Sequence, residues 1–334
     1  MLDRRRVLKL AGGATFASTL SAAPILRGSF AQSGQTWPNR SVRLIVPFPQ
    51  GGRPDAIVRV VGVKLSDIWR QELVVENRGG GTTNIGTEAV ARAEPDGYTL
   101  LLQSTPLAVN RFLFRSLPYD ALTDLEPVSL LCEYPLIMTV PISSPANSVA
   151  EFIAHANANR GRITFASSGH GTPVHLSGEM FQRMARIEML HVPYRGTGPA
   201  LIDLIPGRVD VMFSSIGATL PLIRGGKLRG LAVTTAKRTA AAPQVPTIAE
   251  GGVPGFDASS WYAFFAPAQT PAAIIRQLQS DVVTALADSA IKSRLEAQGI
   301  TVIGSTPAEL GTFLKAEVDK WGPVIREAGI RGDD

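Results

Sequence analysis

The sequence predicts an α/β protein with two domains. Two observations lead to this fold class. Short apolar runs of strand length alternate with amphipathic helical stretches, which is the pattern of layered α/β folds with largely parallel strands. The 334 residues are also more than one hydrophobic core usually serves. We therefore expect few hairpins, and strand ends that open on a crevice where ligands collect.

The predicted elements follow from hydrophobic periodicity. Strand-like runs occupy residues 42–46, 73–75, 99–102, 163–166, 209–213 and 230–233. Longer helices occupy residues 55–69, 149–159, 173–186, 271–288 and 307–328. The last two helices each begin with a Thr-Pro pair, Thr270-Pro271 and Thr306-Pro307, which is typical of an N-cap followed by proline in the first turn.

The first 31 residues predict an export signal. Arg4, Arg5 and Arg6 precede an Ala-rich apolar stretch, and a small-residue cleavage site follows at residues 29–31. The order of basic and apolar residues resembles a twin-arginine signal. Cleavage would release the protein into the periplasm; an uncleaved N-terminal anchor is the alternative.

Charge and ligand-type residues exclude several classes of function. Residues 1–31 carry five basic side chains and one acid, so the rest of the chain is left near +1 of the formal +5. No basic block remains for nucleic-acid binding. One cysteine, Cys132, excludes an intrachain disulfide, and its apolar neighbours predict burial. The four histidines have no metal-ligand spacing along the chain, so we predict no metal, no cofactor and no catalytic residue.

Three Gly-rich turns are the main functional signal. The turn after residue 46 leads into a helix near Asp55, the turn after residue 166 leads into Pro173, and the turn at residues 194–199 leads into a helix at 200–205. The first turn of a helix has unpaired amides and a positive dipole end, which attract carboxylates and phosphates. Two opposed helix starts would hold the two ends of a small diacid, whereas the alternative is that such turns merely close the chain.

A series of motifs carries a family resemblance. From about Trp37 to Ala328, the chain resembles the periplasmic substrate-binding proteins of tripartite tricarboxylate transporters, the Bug or TctC family. No one motif is specific, but their order and number are. The motifs are Pro-Phe-Pro-Gln-Gly-Gly-Arg-Pro-Asp (47–55), Val-Glu-Asn-Arg-Gly-Gly-Gly (75–81), Asn-Ile-Gly (84–86), Pro-Asp-Gly-Tyr-Thr (95–99), Leu-Pro-Tyr-Asp (117–120), Ser-Gly-His-Gly-Thr (168–172), His-Val-Pro-Tyr-Arg-Gly (191–196), Leu-Arg-Gly-Leu-Ala-Val (228–233) and Val-Pro-Thr (245–247).

The resemblance implies a two-lobed Venus-flytrap fold of the periplasmic-binding-protein kind, type II-like, with two crossings between lobes. The crossings would fall near residues 133–141 and 257–267. Lobe 1 would then comprise residues 32–135 and 260–334, and lobe 2 residues 136–259. The implied ligand is a small carboxylate, either a di- or tricarboxylate, an aromatic acid or an amino acid. The implied partners are membrane permease subunits of the transporter, and we expect a monomer.

The resemblance also implies ligand-binding positions. In the family, the first turn and the Gly-x-Gly-Thr turn face each other and contact ligand carboxylates through backbone amides, hydroxyls and bridging water. The matching positions in this chain are Phe48, Gly51, Gly52 and Asp55 on one side, and Ser168, Gly169, Gly171 and Thr172 on the other.

The first turn departs from the family pattern at Arg53-Pro54, where members usually have a small residue followed by Thr or Ser. A donor hydroxyl is missing, and Pro54 has no amide hydrogen. Arg53 either compensates through a charge-assisted bond to the ligand or is simply solvated; both interpretations stay open.

Further candidates lie beside these turns. His170, between two glycines, is either exposed or faces the ligand. Ser104 and Thr105 follow one strand-like run and Ser214 follows another, so their hydroxyls either bind a polar ligand or cap the next helix. Tyr194 opens the third turn. Asp55 either complements the helix dipole or orients a bridging water or a ligand ammonium.

Three other functions compete with a transport receptor. A hydrolase would use Ser167 or Ser168 as nucleophile with His170 as base, but residues 165–169 lack the first glycine of a Gly-x-Ser-x-Gly elbow. A dinucleotide site at residues 79–86 has the wrong glycine spacing. A ligand-sensing subunit of a membrane signalling system would share fold and pocket with a transport receptor, so that alternative stays open.

Overall fold

A computed structural model describes residues 37–332, and the predicted export signal lies outside the described residues. From Trp37 onward the chain forms one compact unit. Within the described part, no helix has the length and apolar character needed to cross a bilayer.

In residues 37–332, ten strands form one mixed sheet. Their bounds are β1 Val42–Val46, β2 Leu73–Asn77, β3 Thr99–Gln103, β4 Leu125–Pro141, β5 Thr164–Ser167, β6 Leu190–Pro193, β7 Val211–Ser215, β8 Leu228–Val233, β9 Ser259–Pro267 and β10 Thr301–Val302. The order across the sheet is β2-β1-β3-β9-β4-β7-β5-β6, and β8 and β10 also pair with β4.

Ten α-helices of the described part of the chain cover the sheet. Their bounds are α1 Arg53–Trp69, α2 Asn84–Ala91, α3 Pro106–Leu113, α4 Val149–Ala158, α5 Pro173–Ala185, α6 Thr197–Leu204, α7 Ile216–Arg224, α8 Ala272–Leu286, α9 Ser289–Glu296 and α10 Pro307–Ala328. A short 3₁₀ turn, Gly81–Thr83, precedes α2. All five predicted helices form, with ends within two residues of the prediction.

The sheet is mixed, so the expectation of largely parallel strands was wrong. Strands β1, β2 and β3 pair in parallel, as do β5, β6 and β7. Strand β4, however, runs antiparallel to β7, β8, β9 and β10, and β9 runs antiparallel to β3. The sequence did not reveal β4 because bulges after Pro127 and Leu130 break its alternation and nearly every residue in it is buried, which hides the period-two pattern.

Strand β4 joins the two parallel groups. Its first part pairs with β9, from Leu125 to Pro135, and its last part pairs with β7 and β8, from Leu136 onward. The predicted crossings overlap the end of β4 and the whole of β9. The lobe boundaries themselves stay a prediction.

The two Thr-Pro pairs differ in whether the threonine caps the helix that follows. The Thr306 side chain accepts from the Glu309 amide, and Glu309 in turn accepts from the Thr306 amide, which is a complete capping box at the start of α10. Thr270, in contrast, donates to the Pro267 carbonyl and does not cap α8. The cap prediction was therefore right at Thr306 and wrong at Thr270, where the turn after β9 has taken the hydroxyl.

Cys132 belongs to the core, as predicted, and so does Trp261. Both are fully buried, and burial raises the pKa of the Cys132 thiol to about 12. The Trp261 indole donates to Glu317 at 2.9 Å. Neither group is placed for chemistry with a solute.

Candidate functional site

The first polar cluster forms where β1 and β3 end. These strands are parallel neighbours, with Ile45 opposite Leu101, so their carboxyl ends reach the same edge of the sheet and the turn after β1 lies beside the residues that follow β3. We call the following residues the first cluster: Phe48, Gly51, Gly52, Arg53, Asp55, Ser104 and Thr105.

The second polar cluster forms where β5, β6 and β7 end. Strand β5 lies between the other two, and its Ser167 is opposite Pro193 of β6, while its Ala166 is opposite Met212 of β7. The same register continued past the strand ends brings the turn after β5 beside the residues that follow β6 and β7. We call the following residues the second cluster: Ser168, Gly169, His170, Gly171, Thr172, Tyr194 and Ser214.

The two clusters meet. Arg53 of the first cluster donates from Nη2 to the Ser215 hydroxyl, next to the second cluster, at 3.0 Å. The turn after β5 also packs on α3, because a Cβ at Gly171 would lie 2.6 Å from Leu113 Cδ1. The two sides therefore lie close together, and the joint contact of the two turns with a ligand stays a prediction.

Asp55 holds the first turn together. Its Oδ2 accepts from the Gly51 amide at 3.0 Å and from Arg59 Nε at 3.0 Å. The hydrogen bond from Arg59 is the largest influence on the carboxyl, and it lowers the pKa of Asp55 below its usual value. Asp55 is only 3% exposed, so its charge is paired inside the protein. Its second oxygen, Oδ1, is buried without a partner among the described residues.

Several turn amides that the sequence led us to expect as free are occupied. The Gly51 amide donates to Asp55, and the Gly171 amide donates to Nδ1 of His175 at 3.1 Å. The Gly169 amide donates to the Ser167 hydroxyl at 3.1 Å. These local bonds are the physical reason for the correction, because a polar side chain four residues or two residues away satisfies the amide more cheaply than an open turn does.

Four buried polar atoms of the two clusters have no hydrogen-bond partner among the described residues. They are Arg53 Nη1, Asp55 Oδ1, Thr105 Oγ1 and Ser214 Oγ. Thr105 and Ser214 are both fully buried. Buried polar groups are nearly always paired in native proteins, so unpaired ones at facing strand ends mark where a bound molecule would complete the bonding.

Three other predicted residues are engaged differently. The Tyr194 hydroxyl donates to Asp203 of α6 at 2.8 Å, so it is directed to its own helix; burial, with this bond, raises its pKa. Thr172 caps α5 by accepting from the His175 amide. Phe48 is half-buried and packs edge-on against Tyr262, with ring centres 6.3 Å apart.

Three histidines come together beside the second cluster. His175 and His191 stack with ring centres 3.7 Å apart, and His170, which is exposed, meets both rings edge-on. Burial and the two neighbouring rings lower the pKa of His191 to about 3. Spacing along the chain did not find this cluster because His191 comes from β6; the pairing of Phe165 with His191 across β5 and β6 creates it.

The side-chain nitrogens of these histidines lie within 4.8 Å of one another, a separation that raises the question of a metal ion. The geometry does not fit one. His175 accepts from the Gly171 amide at Nδ1 and faces Glu179 at Nε2, so both nitrogens are in use. Parallel stacked rings also cannot direct their in-plane lone pairs at one ion.

The Ser167 hydroxyl and His191 Nε2 are 2.6 Å apart. The hydrolase alternative named Ser167 or Ser168 with His170 as base, so this pair contains one of its two serines but a different histidine. Ser167 is fully buried, and within residues 37–332 no carboxylate bonds to His191 to orient it. The contact therefore joins the turn to β6, and it does not complete a catalytic triad.

Some residues that contact the first cluster were not predicted from the sequence. Tyr134 of β4 lies under Arg53, with the guanidinium carbon 4.7 Å from the ring centre, and its hydroxyl contacts Ser260 and Tyr262. Another missed feature is the turn before α2, where Thr82 and Thr83 have positive φ and the buried Gln103 amide donates to Thr83. Its glycine run and the β-branched residues after it were the available signal.

Comparison with known proteins agrees with the fold. A family model described as "Tripartite tricarboxylate transporter family receptor" matches residues 57–330. Protein BugT of Bordetella pertussis is 40% identical over 301 residues, which cover 90% of this chain and 92% of BugT.

Two solved structures carry bound carboxylates. "R. palustris Rpa4515 with adipate" superposes with a TM-score of 0.78 at 36% identity, covering 88% of this chain and 99% of that one. MatC from Rhodopseudomonas palustris "with bound malate" superposes with a TM-score of 0.73 at 31% identity, covering 86% and 99%. By sequence and by fold, this chain belongs to the tripartite tricarboxylate transporter receptor family, with the α/β fold of its periplasmic binding proteins.

Proposed function

We propose that this protein is an extracytoplasmic receptor that encloses a small carboxylate between the first and second clusters and delivers it, unaltered, to a tripartite permease in the membrane. The observation that carries the proposal is the set of four unpartnered buried polar atoms, two from each side when Arg53 is counted with the cluster that it reaches. A solute held there would touch both sides, which is what drives closure in receptors of this kind.

The unpartnered atoms comprise three hydrogen-bond donors and one acceptor. The hydroxyls of Thr105 and Ser214 and the guanidinium nitrogen of Arg53 can each donate to a carboxylate oxygen. Asp55 Oδ1 accepts only, so it would bind a solute hydroxyl, a solute ammonium or a bridging water. This combination suits a solute that has a carboxylate together with a second polar group.

Family membership supports the ligand class and the partners. The adipate and malate in the two related structures are small carboxylates, and we extend that class to this chain. By the same reasoning we propose that the mature protein is a periplasmic monomer, after removal of residues 1–31, and that the permease is its partner. It needs no cofactor, metal or catalytic residue for this task.

A thermal-shift screen tests the proposal. Ligand-free protein would be heated with di- and tricarboxylates, aromatic acids, amino acids and neutral sugars. A ligand at about one hundred times its Kd adds about 2.7 kcal/mol to the free energy of unfolding, so at about 2–4 °C per kcal/mol the expected rise is several degrees for at least one carboxylate. No rise with any carboxylate would contradict the proposal.

Two substitutions tie the screen to the site. Thr105→Val and Ser214→Ala each remove an unpartnered donor, so each should shrink the shift given by the best carboxylate. Thr312→Val is the matched control, because its hydroxyl bonds its own helix at the surface of α10. An unchanged shift in both site variants would mean that the solute binds elsewhere.

A further inference from the structure

We propose that Arg53 makes this receptor specific for solutes with two anionic groups, and that the second group binds between the Arg53 guanidinium and Ser214 at the start of α7. This inference rests on the proposed function and narrows it from carboxylates in general to dianions.

Contacts on several sides hold the Arg53 guanidinium in place between the two clusters. Its carbon is 4.7 Å from the centre of the Tyr134 ring, and its Nη2 donates to the Ser215 hydroxyl at 3.0 Å. On its far side is Gly217, where an added Cβ would lie 3.0 Å from Nη2. Aromatic face, hydroxyl and glycine together fix the plane of the fork.

No acidic side chain of the described residues balances the positive charge of the Arg53 guanidinium. Within residues 37–332, no carboxylate forms an ion pair with Arg53, and Asp55, the nearest acid along the chain, is paired with Arg59. The nitrogen Nη1 is buried without a partner. A cation partly removed from water is costly until an anion pairs with it, and the guanidinium fork matches a carboxylate in two parallel hydrogen bonds.

The neighbouring helix start is a receptor for the same anion. Helix α7 begins at Ile216, and its N-cap, Ser215, makes no side-chain cap bond, so the first-turn amides and the dipole favour negative charge. Ser214, the residue before this N-cap, is fully buried, and its hydroxyl has no partner among the described residues. The helix start and the unpartnered Arg53 Nη1 are independent observations, and both indicate an anion beside Arg53.

The cavity next to Arg53 has the matching charge. It has a volume of about 200 Å³, and Arg224 and Gln298 line it together with Arg53. No acidic side chain is among its lining residues. The local field therefore repels cations and favours a second anionic group on the solute.

The expected discrimination follows from pairing. A diacid would place one carboxylate near Thr105 and the other against Arg53 and Ser214. A half-amide or a methyl group at the second position would leave the guanidinium unpaired, so such solutes should bind at least about tenfold more weakly, a difference of about 1.4 kcal/mol.

Isothermal titration calorimetry on ligand-free protein tests this with matched probes. The probes are the unbranched diacids from succinate to suberate, each with its own mono-amide and with the unbranched monoacid of equal length. The tightest diacid should bind at least about tenfold better than its mono-amide. Arg53→Gln should weaken that diacid by about tenfold or more and change the monoacid by less than about threefold.

Three further variants separate charge from shape. Arg53→Lys keeps the charge without the fork and should give an intermediate diacid affinity. Ser214→Ala should weaken the diacid several-fold. Arg294→Gln removes a positive charge from the exposed face of α9 and should leave every affinity unchanged. Thermal unfolding without solute confirms that each variant folds.

Each outcome of the titrations supports or overturns the inference that this receptor is specific for dianions. A mono-amide that binds as tightly as its diacid overturns the inference, and so does an equal loss of diacid and monoacid in Arg53→Gln. Binding of aromatic acids or amino acids with no binding of any diacid overturns it too, while leaving the receptor function intact. If no carboxylate of any kind binds, the receptor function itself has failed.

Discussion

At the scale of single residues, Asp55 shows how one carboxylate shapes the site. It pairs with Arg59, closes the turn through the Gly51 amide, and keeps one oxygen unpartnered. The sequence indicated its position in a first helical turn but left open whether it serves the dipole or the ligand. The structure shows a third use, the closing of the turn itself, which depends on side-chain geometry that a sequence pattern does not contain.

Replacing this carboxylate should cost stability in a pH-dependent way. Asp55→Asn removes the ion pair, and we expect a loss of about 1–3 kcal/mol in the free energy of unfolding at neutral pH. Because the pKa of Asp55 is lowered from 3.8, its contribution is present above that value and is lost as the pH falls through the lowered pKa. Urea denaturation at neutral and acidic pH measures this.

The matched control is Asp67→Asn, an exposed carboxylate on the same helix. It should change the urea midpoint little at either pH. Equal losses from the two substitutions, or a loss at Asp55 that persists unchanged in acid, would contradict the account of Asp55 given above.

His191 predicts a second dependence of stability on pH, this time through a basic group. Its folded-state pKa of about 3 lies below the usual 6.5 because of burial and the neighbouring rings of His175 and His170. The unfolded chain therefore takes up a proton near pH 6.5 that the folded chain refuses, and stability falls as the pH drops through this interval. The Glu179 carboxylate lies 3.3 Å from His175 Nε2 and is the acidic group on this side of the three histidines.

The substitution His191→Gln keeps a polar group near Ser167 and removes the proton site. The fall in melting temperature between about pH 7 and about pH 5 should be smaller in this variant than in the wild type. His155→Gln, a histidine of α4 away from the cluster, shows how much of any change comes from losing a histidine elsewhere. The explanation fails if the His191 variant loses stability over this pH range as steeply as the wild type.

At the scale of elements, the sequence predicted the long helices and six of the strands, but it missed β4, β6, β9 and β10 among those that the structure describes. Strand β1 and helix α10 have the predicted bounds, because a clean period separates them from their neighbours. Strand β7 is displaced by two residues, since Ser214 and Ser215 continue the strand although they are polar. Strands β4 and β9 are buried on both faces, so no alternation marks them.

The same contrast holds for the site. The strand-end positions of Thr105 and Ser214 follow from the order of elements, which a sequence carries. The contact of Arg53 with Ser215 and Tyr134 joins residues far apart in the chain, and it depends on how the two parallel groups are set about β4. That arrangement has no local signature, so the two interpretations of Arg53 could not be separated beforehand.

Packing of helix α2 against the first turn gives a prediction at this scale. Gly86 lies where an added Cβ would be 2.8 Å from Pro47 Cβ and 2.9 Å from the Arg78 carbonyl oxygen. Gly86→Ala must therefore move α2 or the backbone of the turn, and we expect a loss of about 1–3 kcal/mol together with weaker solute binding. Chemical denaturation and the thermal-shift assay measure the two effects.

Gly198→Ala is its control, because a Cβ at that position of α6 meets nothing within 4 Å. It should be neutral or slightly stabilising, since alanine favours a helix. If both substitutions proved neutral, the close packing of α2 on the first turn would have no bearing on the site.

At the scale of the whole molecule, the contact between the turn after β5 and helix α3 should decide how far the clusters approach. Gly171 has φ +67, and a Cβ there would collide with Leu113 at 2.6 Å. Gly171→Ala should therefore hold the two clusters apart, lowering solute affinity by about tenfold or more. Titration calorimetry gives the affinity, and small-angle X-ray scattering with solute shows whether the variant stays more open.

Gly161→Ala is the control, since it has the same φ of +67 with nothing within 4 Å of the added Cβ. Both variants bear the strain of alanine at positive φ, of about 1 kcal/mol. Only the Gly171 variant meets the opposite side. Equal affinities in the two variants would show that the contact with Leu113 does not limit closure.

The position of β9 has a consequence for how the chain is assembled. This strand lies between β3 and β4 in the sheet, although it is made more than one hundred residues later than either begins, at Ser259–Pro267. During synthesis, β3 therefore cannot pair with β9 until most of the chain has left the ribosome. Until then the edge of β3 has unpaired backbone groups. Synthesis in this order favours a chaperone that shields that edge, and it makes slow, late-stage refolding the expected behaviour in vitro.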